Sequence, residues 1–429
     1  MSSPRIKAAQ RAAIVQSLRA GVAPYIGLHH IQVGRLREVE GMIRDIERIA
    51  EGGAAFRVVV GDYGSGKTFF LNLVRSIALE KKLVTAHADL SPDRRLHSTS
   101  GHGRSLYAEL VRNLATRTRL DGGALPSIIE RFVTSAAAEA GHSGERVDAA
   151  ISRKLRSLEE MVGGYDFAEV INRYWQGHEQ HDDALMRRAE QWLRGEFTTK
   201  TDARSALGVR TIVDDGNVYD QLKLLARFVR LSGYSGLLIC LDEMVNLYKL
   251  SNAQARSANY EQILRILNDS LQGSSEGIGF LLGGTPEFLS DPRRGLHSYA
   301  ALASRLGENV FAQKGFVDHS GPVLRLANLT PEELFVLLQK LRTVFAHGDE
   351  NQTLLPDEAL HAFLTHCSRK VGDAYFRTPR LTIKAFLDLL AILEENPQAK
   401  WTDLVEQVRL SPDRAPDSDG DDDLATVRL

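Results

Sequence analysis

The chain has 429 residues, 43% of them hydrophobic and 25% charged, which is enough apolar content for folded cores and enough length for two or three domains. Its 53 Lys and Arg nearly balance 55 Asp and Glu, a formal charge of -2, so global charge gives no argument for a nucleic-acid partner. No apolar run is long enough to cross a bilayer, "MSSPRIKAAQRAAIVQSLRAG" lacks a signal-peptide core, and Cys240 and Cys367 are distant in sequence and set among apolar residues. The expectation is a cytoplasmic protein with no membrane partner, no disulfide framework and buried reduced thiols.

Apolar positions at helical spacing (Ile6, Ala9, Ala13, Leu18) open the chain, and an amphipathic helix runs from about Glu38 to Gly52. The period then changes. "FRVVVG" is a short β-branched strand, "TFFLNLVRSIALEKK" a helix, "LVTAHADLS" a second strand and "SLYAELVRNLATRT" a second helix, an alternation that predicts a parallel α/β sheet. From about 121 to 215 the strand signal vanishes and the segment reads as a helical insertion. "YSGLLICLDEMVNL" and "GIGFLLGGTPEFL" restore the sheet as two more strands, with the helix "ANYEQILRILNDSLQ" between them. Beyond "LTPEELFVLLQKLRTVF" only helices are expected, at 331–347, 356–370, 379–395 and 402–408, several opened by Thr, Asp or Pro. The last nineteen residues carry six Asp against two Arg and read as a disordered acidic tail. The predicted domains are 1–120 (N-terminal helix and first part of the sheet domain), 121–215 (insertion), 216–328 (second part of the sheet domain), 329–410 (helical domain) and 411–429 (tail).

The chemistry concentrates in "GDYGSGKT", Gly61 to Thr68, which fits G-x-x-x-x-G-K-[ST] and follows a strand and precedes a helix, as the motif requires. Around Gly61, Asp62, Tyr63, Gly64, Ser65 and Gly66 the glycines let backbone N–H groups turn onto phosphates. Lys67 adds a mobile cation, the Thr68 hydroxyl can ligate Mg2+, and Phe69 follows in the helix. "LLICLDE" is weaker alone, because any buried strand can end in a capping or salt-bridged acidic pair. Beside a phosphate cradle it delivers Asp242 to the C-terminal sheet edge as a ligand of hydrated Mg2+, and Glu243 as a general base for an attacking water. The 175 positions from Lys67 to Asp242 exceed one βαβ unit, and the insertion accounts for the excess. Thr285 in "GGTPEF" ends the next strand, where it either orients water against a γ-phosphate or simply makes a Thr-Pro turn. Arg305 in "ASRLGENVF", and Arg377 and Arg380 at a helix start that disfavours cations, are either solvated surface side chains, the favoured reading for any one of them alone, or candidates for an anion.

Together these stretches resemble the AAA+ and related STAND ATPases. "IQVGRLREVEGM" looks like their N-terminal nucleotide-flanking box, with Gly34 and Arg35 as cofactor-binding residues, "GDYGSGKT" like Walker A, "LLICLDE" like Walker B and "LLGGTPEF" like the sensor 1 strand. The resemblance implies ATP as the nucleotide, an AAA+-type α/β P-loop domain and a helical lid. It also implies that Arg305 reaches a neighbouring subunit's site in a homo-oligomer, and that Arg380, or less readily Arg377, reads the γ-phosphate. More narrowly, "GLHHIQVGR", "GDYGSGKTFFL", "AHADLSPDRRLH", "SLYAELVRNLATRT" and "CLDEMVNLYKL" are similar to the bacterial BREX-type ATP-binding proteins, BrxC/BrxD-like, of phage-defence gene clusters. That similarity implies work beside a helicase or other DNA-acting partner.

Two functions follow as expectations. One is an ATP-hydrolysing oligomer acting on DNA or on a DNA-acting partner; the other is a nucleotide switch or adaptor that holds ATP without significant turnover. Metabolic phosphoryl transfer lacks a second substrate motif. For DNA, the insertion offers Arg187, Arg188, Arg194, Lys200, Arg204 and Arg210 around Trp192, a cluster that either grips phosphates or forms a solvated helix face.

Overall fold

A computed structural model describes residues 6–309 and 318–410; the acidic tail expected at 411–429 lies outside the described residues. The chain divides into two compact units. One comprises Leu36–Val60 and Val74–Arg325, and the other comprises Met1–Arg35, Gly61–Leu73 and Leu326–Leu429.

The first unit is built on five strands: β1 (Ala54–Val60), β2 (Leu83–Asp89), β3 (Gly236–Asp242), β4 (Ile278–Gly284) and β5 (Val323–Arg325). They pair in the order β2-β3-β4-β1-β5, every pair parallel. Every residue of β1, β3 and β4 is buried, as expected for strands covered on both faces, whose sequences are apolar runs rather than alternations. The short β5 has no counterpart among the predicted strands, because three residues of "PVLRL" carry no readable period. The Leu36–Ala50 helix lies close on the sheet because Gly236 and Gly279 lack side chains there. A Cβ would stand 2.7 Å and 2.3 Å from Ile49 atoms at the two positions. Arg57 interrupts the apolar run of β1; buried there, it pairs with Asp45 of that helix and donates to the Gly321 carbonyl.

The helices at 125–207 share one hydrophobic core with the sheet, joined through Phe228 of the Val218–Leu231 helix. Phe228 has Phe132 at 5.1 Å and Phe167 at 5.6 Å between ring centroids, and Phe167 meets Trp192 edge-on at 6.1 Å. Two carboxylates fasten the chain around this layer. Asp166 accepts hydrogen bonds from the Arg210 and Thr211 amides and from the Thr211 hydroxyl. Asp215 accepts from the amides of Gly101 (2.7 Å) and Arg104 (3.0 Å), capping the His102–Arg112 helix, whose own N-cap, Gly101, has no side chain to do so.

Trp192, around which the cations of the insertion cluster in sequence, lies inside the fold. It is 1% exposed and its indole N–H donates to the Thr211 carbonyl at 2.8 Å, so it is a core residue and offers no face to a base. Arg187, Arg188, Lys200, Arg204 and Arg210 are exposed, and Arg194 pairs with Glu190 on its own helix side.

In the second unit the Ala8–Arg19 helix packs with Pro331–Phe345, Asp357–Val371, Arg380–Glu395 and Trp401–Val405 around Ile14, Leu338, Phe363, Phe386 and Leu390. Arg11 pairs with Glu394 and Arg19 with Asp388, both at 2.8 Å. Thr330 and Glu333 form a reciprocal capping box at the start of Pro331–Phe345. Both cysteines are buried and free. Among the described residues no helix is long and apolar enough to cross a membrane, and no group of three or more His, Cys, Asp or Glu is placed to hold a metal.

Trp192→Ala should cost about 3–5 kcal/mol of unfolding free energy, the range for truncating a large buried aromatic. Urea unfolding followed by far-UV circular dichroism measures it, and a loss within experimental error would remove Trp192 from the core.

Candidate functional site

The phosphate loop follows β1 in the chain and lies in the second unit. Gly64 (φ +75°) and Gly66 (φ +86°) take left-handed backbone that other residues resist, and Gly61 leaves the space in which a Cβ would stand 2.6 Å from Ser65 Oγ. Ser65 is 3% exposed and its hydroxyl has no hydrogen-bond partner, an orphaned polar atom inside the turn. Lys67 begins the Lys67–Glu80 helix and donates from Nζ to the carbonyls of Gly61 and Asp62, each at 2.8 Å. A glycine turn with an unsatisfied buried hydroxyl, a lysine whose Nζ reaches two loop carbonyls, and an exposed Thr68 at a helix start fit a polyphosphate with its metal ion.

Other parts of the same unit surround the loop. Arg35 donates to the carbonyls of Ser65, Gly66 (3.4 Å) and Ala327 (3.3 Å), and it has a left-handed backbone, φ +59°. Gly34 beside it has φ +64°, and a Cβ there would stand 2.3 Å from Glu333 Oε1. Asn328 Nδ2 donates to Asp62 Oδ2 at 3.2 Å, while Asn328 Oδ1 is buried without a partner. Tyr63 is 42% exposed, and its hydroxyl accepts from Arg380 Nη1 at 3.1 Å; Arg380 is the first residue of Arg380–Glu395. Thr378 abuts Gly64, 3.5 Å from where a Cβ would be. Arg377 ends the short Ala374–Arg377 helix. Phe69, half-buried, packs against the helical core of this unit.

The acidic pair lies in the sheet-bearing unit. Asp242 ends β3, is 7% exposed, and accepts the Glu243 amide on Oδ1 at 2.9 Å, while its carbonyl accepts from Leu90. Glu243 is exposed and has φ +55°. A non-glycine residue in that conformation costs about 1–3 kcal/mol, and such strain gathers at functional sites. The flanking bonds that enforce it are Met244 N–H to Gly283 and Asn246 N–H to Glu243, both at 3.0 Å. β4 pairs with both β1 and β3, so Thr285, which follows β4, leaves the sheet between the ends of those two strands. Thr285 is also the N-cap of Pro286–Ser290, its Oγ1 accepting from the Phe288 amide at 3.4 Å. Arg305 is exposed at the end of Ala300–Arg305, with Nη1 on the Ala301 carbonyl.

Three residues were not singled out from sequence. Asp89 stands opposite Asp242 in the β2–β3 register, and the rule that found Asp242, an acid closing an apolar strand, applies equally to it. Desolvation and then the Asp242 carboxylate raise the Asp89 pKa above the ordinary carboxylate value; Glu109 adds to the rise, and the Arg94 and Arg75 cations oppose it. Arg75 is 5% exposed and acts electrostatically on His87, Asp89 and Cys240, a cation at the strand ends that no motif announces. Asn328 follows β5, the strand that the sequence pattern did not show. Burial pushes the Cys240 thiol up to about 12, consistent with an inert side chain.

With this geometry in hand, comparison with known proteins gives one family. The family described as BREX system ATP-binding protein BrxC/D matches residues 6–409. A search of curated proteins returns no match.

The strand-end cluster has a consequence for stability. His87 is held at about 4, below its ordinary 6.5, first by desolvation and then by Arg75. Its imidazole stays neutral in the fold but takes up a proton when unfolded, so its contribution is intact above 6.5, falls as pH drops below that value, and levels off below about 4. Denaturant midpoints measured across this window should decline with acid, and His87→Gln should remove part of the slope. An identical slope in the variant contradicts the assignment.

Proposed function

The chain belongs to the family of BREX system ATP-binding proteins BrxC/D, and from that premise we propose that it hydrolyses ATP, in an oligomer, to act on DNA or on a DNA-acting partner such as a helicase in anti-phage defence. The observation that carries the proposal is the pairing of a buried Asp242, fixed by its own main chain, with an exposed Glu243 held in strained backbone at the C-terminal edge of a parallel sheet. A protein that only held nucleotide would need the phosphate loop and the metal ligand. It would have no use for a second carboxylate kept in left-handed backbone.

In this reading the amides of the Gly61–Thr68 loop and Lys67 Nζ bind the phosphates, and the Thr68 hydroxyl with Asp242 would hold Mg2+. The metal, when bound, neutralises charge on the β- and γ-phosphate oxygens. Glu243 takes the proton of the attacking water and Thr285 orients that water. Arg380, which starts its helix beside Tyr63, senses the γ-phosphate, and Arg305, exposed at its helix end, serves the site of a neighbouring subunit. The exposed Arg187, Arg188, Lys200 and Arg204 offer phosphate contacts to DNA.

ATP turnover of Glu243→Gln should fall by about 10²–10⁴-fold, the usual contribution of a general base, with nucleotide binding retained. Turnover that is absent in the wild-type protein, or unchanged in the variant, overturns hydrolysis in favour of the switch. Arg305→Ala should abolish the rise of per-subunit rate with protein concentration; a wild-type rate independent of concentration removes the role in trans. DNA affinity should fall as salt rises, and a flat response argues against phosphate contacts.

A further inference from the structure

Arg35 is described by the sequence resemblance only as part of a nucleotide-flanking box, yet its hydrogen bonds go to protein. Three of them are made to main-chain carbonyls, two belonging to consecutive residues of the phosphate loop, Ser65 and Gly66. A trans peptide is planar, with its C=O and N–H on opposite sides. A donor that fixes the Ser65 carbonyl therefore fixes the Gly66 amide to point the other way, and fixing the Gly66 carbonyl does the same for the Lys67 amide. Those amides are among the ones a phosphate would need. The planar guanidinium suits this task, since its donors are held in a rigid fork, whereas an ammonium has no fixed directions.

The segment that carries Arg35 is itself pinned. Gln32 accepts from Lys340 Nζ through its carbonyl, Gly34 lies against the Glu333 carboxylate, which a Cβ there would displace, and Arg35 reaches Ala327 just ahead of the capping box at Thr330. Residues 32–35 therefore form a strap held on one side by Pro331–Phe345 and gripping the phosphate loop on the other. The left-handed backbone at Gly34 and Arg35 turns the chain so that one residue reaches both Ala327 and the loop.

Resting on the nucleotide-binding reading above, we propose that Arg35 is a positioning residue. It presets the Ser65–Gly66–Lys67 peptides for phosphate and ties that arrangement to the chain entering the C-terminal helices, without touching the nucleotide. ATP and ADP share the β-phosphate and differ in the γ-phosphate, so a preset loop serves both equally, whereas a cation on the γ-phosphate would favour ATP.

The test uses the full chain as wild type, Arg35→Gly, Arg35→Lys and Lys67→Ala, titrated with fluorescent ATP and ADP analogues, with melting curves taken in the absence of nucleotide. Arg35→Gly removes the guanidinium while suiting the positive φ, so the fold is kept. Its affinity should fall by about 10-fold or more for both nucleotides, as expected for losing charge-assisted bonds to the loop, while its nucleotide-free melting temperature stays at or above that of the wild type. Arg35→Lys keeps the charge but should remain impaired. Unchanged affinity in Arg35→Gly, a loss confined to ATP, or full rescue by Arg35→Lys each overturns the positioning role. A wild type that binds neither nucleotide, or a Lys67→Ala that binds as well as the wild type, overturns the nucleotide-binding reading beneath it, an outcome distinct from the other three.

Discussion

Parallel pairing is the constraint on which the candidate chemistry depends. Because β1, β3 and β4 run the same way, their C-terminal ends open on one edge, where Asp242 closes β3 and Thr285 follows β4. The same pairing forbids tight hairpins, so each strand must be followed by a crossover. Between β2 and β3 that crossover includes the layer of helices at 125–207, which buries Phe132, Phe167 and Trp192 in the sheet's own core instead of hanging from it. In-register alignment of β2 with β3 also sets Asp89 beside Asp242, a like-charge pairing that the Arg94 and Arg75 cations oppose without cancelling.

Two non-glycine residues that sequence reasoning marked as functional, Arg35 and Glu243, adopt left-handed backbone. Neither position accepts that conformation by default, so neighbouring bonds must hold it. At Glu243 the bonds come from Asp242, Gly283 and Asn246; at Arg35 they come from its own guanidinium on three carbonyls. The strain aims a side chain that an ordinary strand end or helix start would direct elsewhere.

Elements with a clear period were legible from sequence. β1 to β4 and the long helices of the second unit match the reading within a few residues, because apolar runs and 3.6-residue spacing are local properties. What escaped was set by distant partners. β5 exists through pairing with β1 and not through its three residues; the packing of Trp192 against Phe167 is invisible in the chain; Asn328 and Arg75 matter only beside Asp62 and beside the β2 and β3 ends. The turn at Gly61–Thr68 was legible because its glycines report the φ values it requires. The role of Arg35 was not, since nothing in "QVGR" says that its donors find carbonyls thirty positions onward.

The second unit is assembled from three separated stretches, with Arg11 and Arg19 of the first helix paired to Glu394 and Asp388 of the penultimate one. On a ribosome the chain emerges from its N-terminus, and the sheet with its helical layer has all its residues before that unit does. The Ala8–Arg19 helix must wait, its apolar face unburied, until Arg380–Glu395 appears. Since Gly61–Leu73 belongs to the same late-closing unit, the loop reaches its final surroundings only after the Arg380–Glu395 helix has been made, so a chain terminated before that helix would carry the motif without the framework that shapes it.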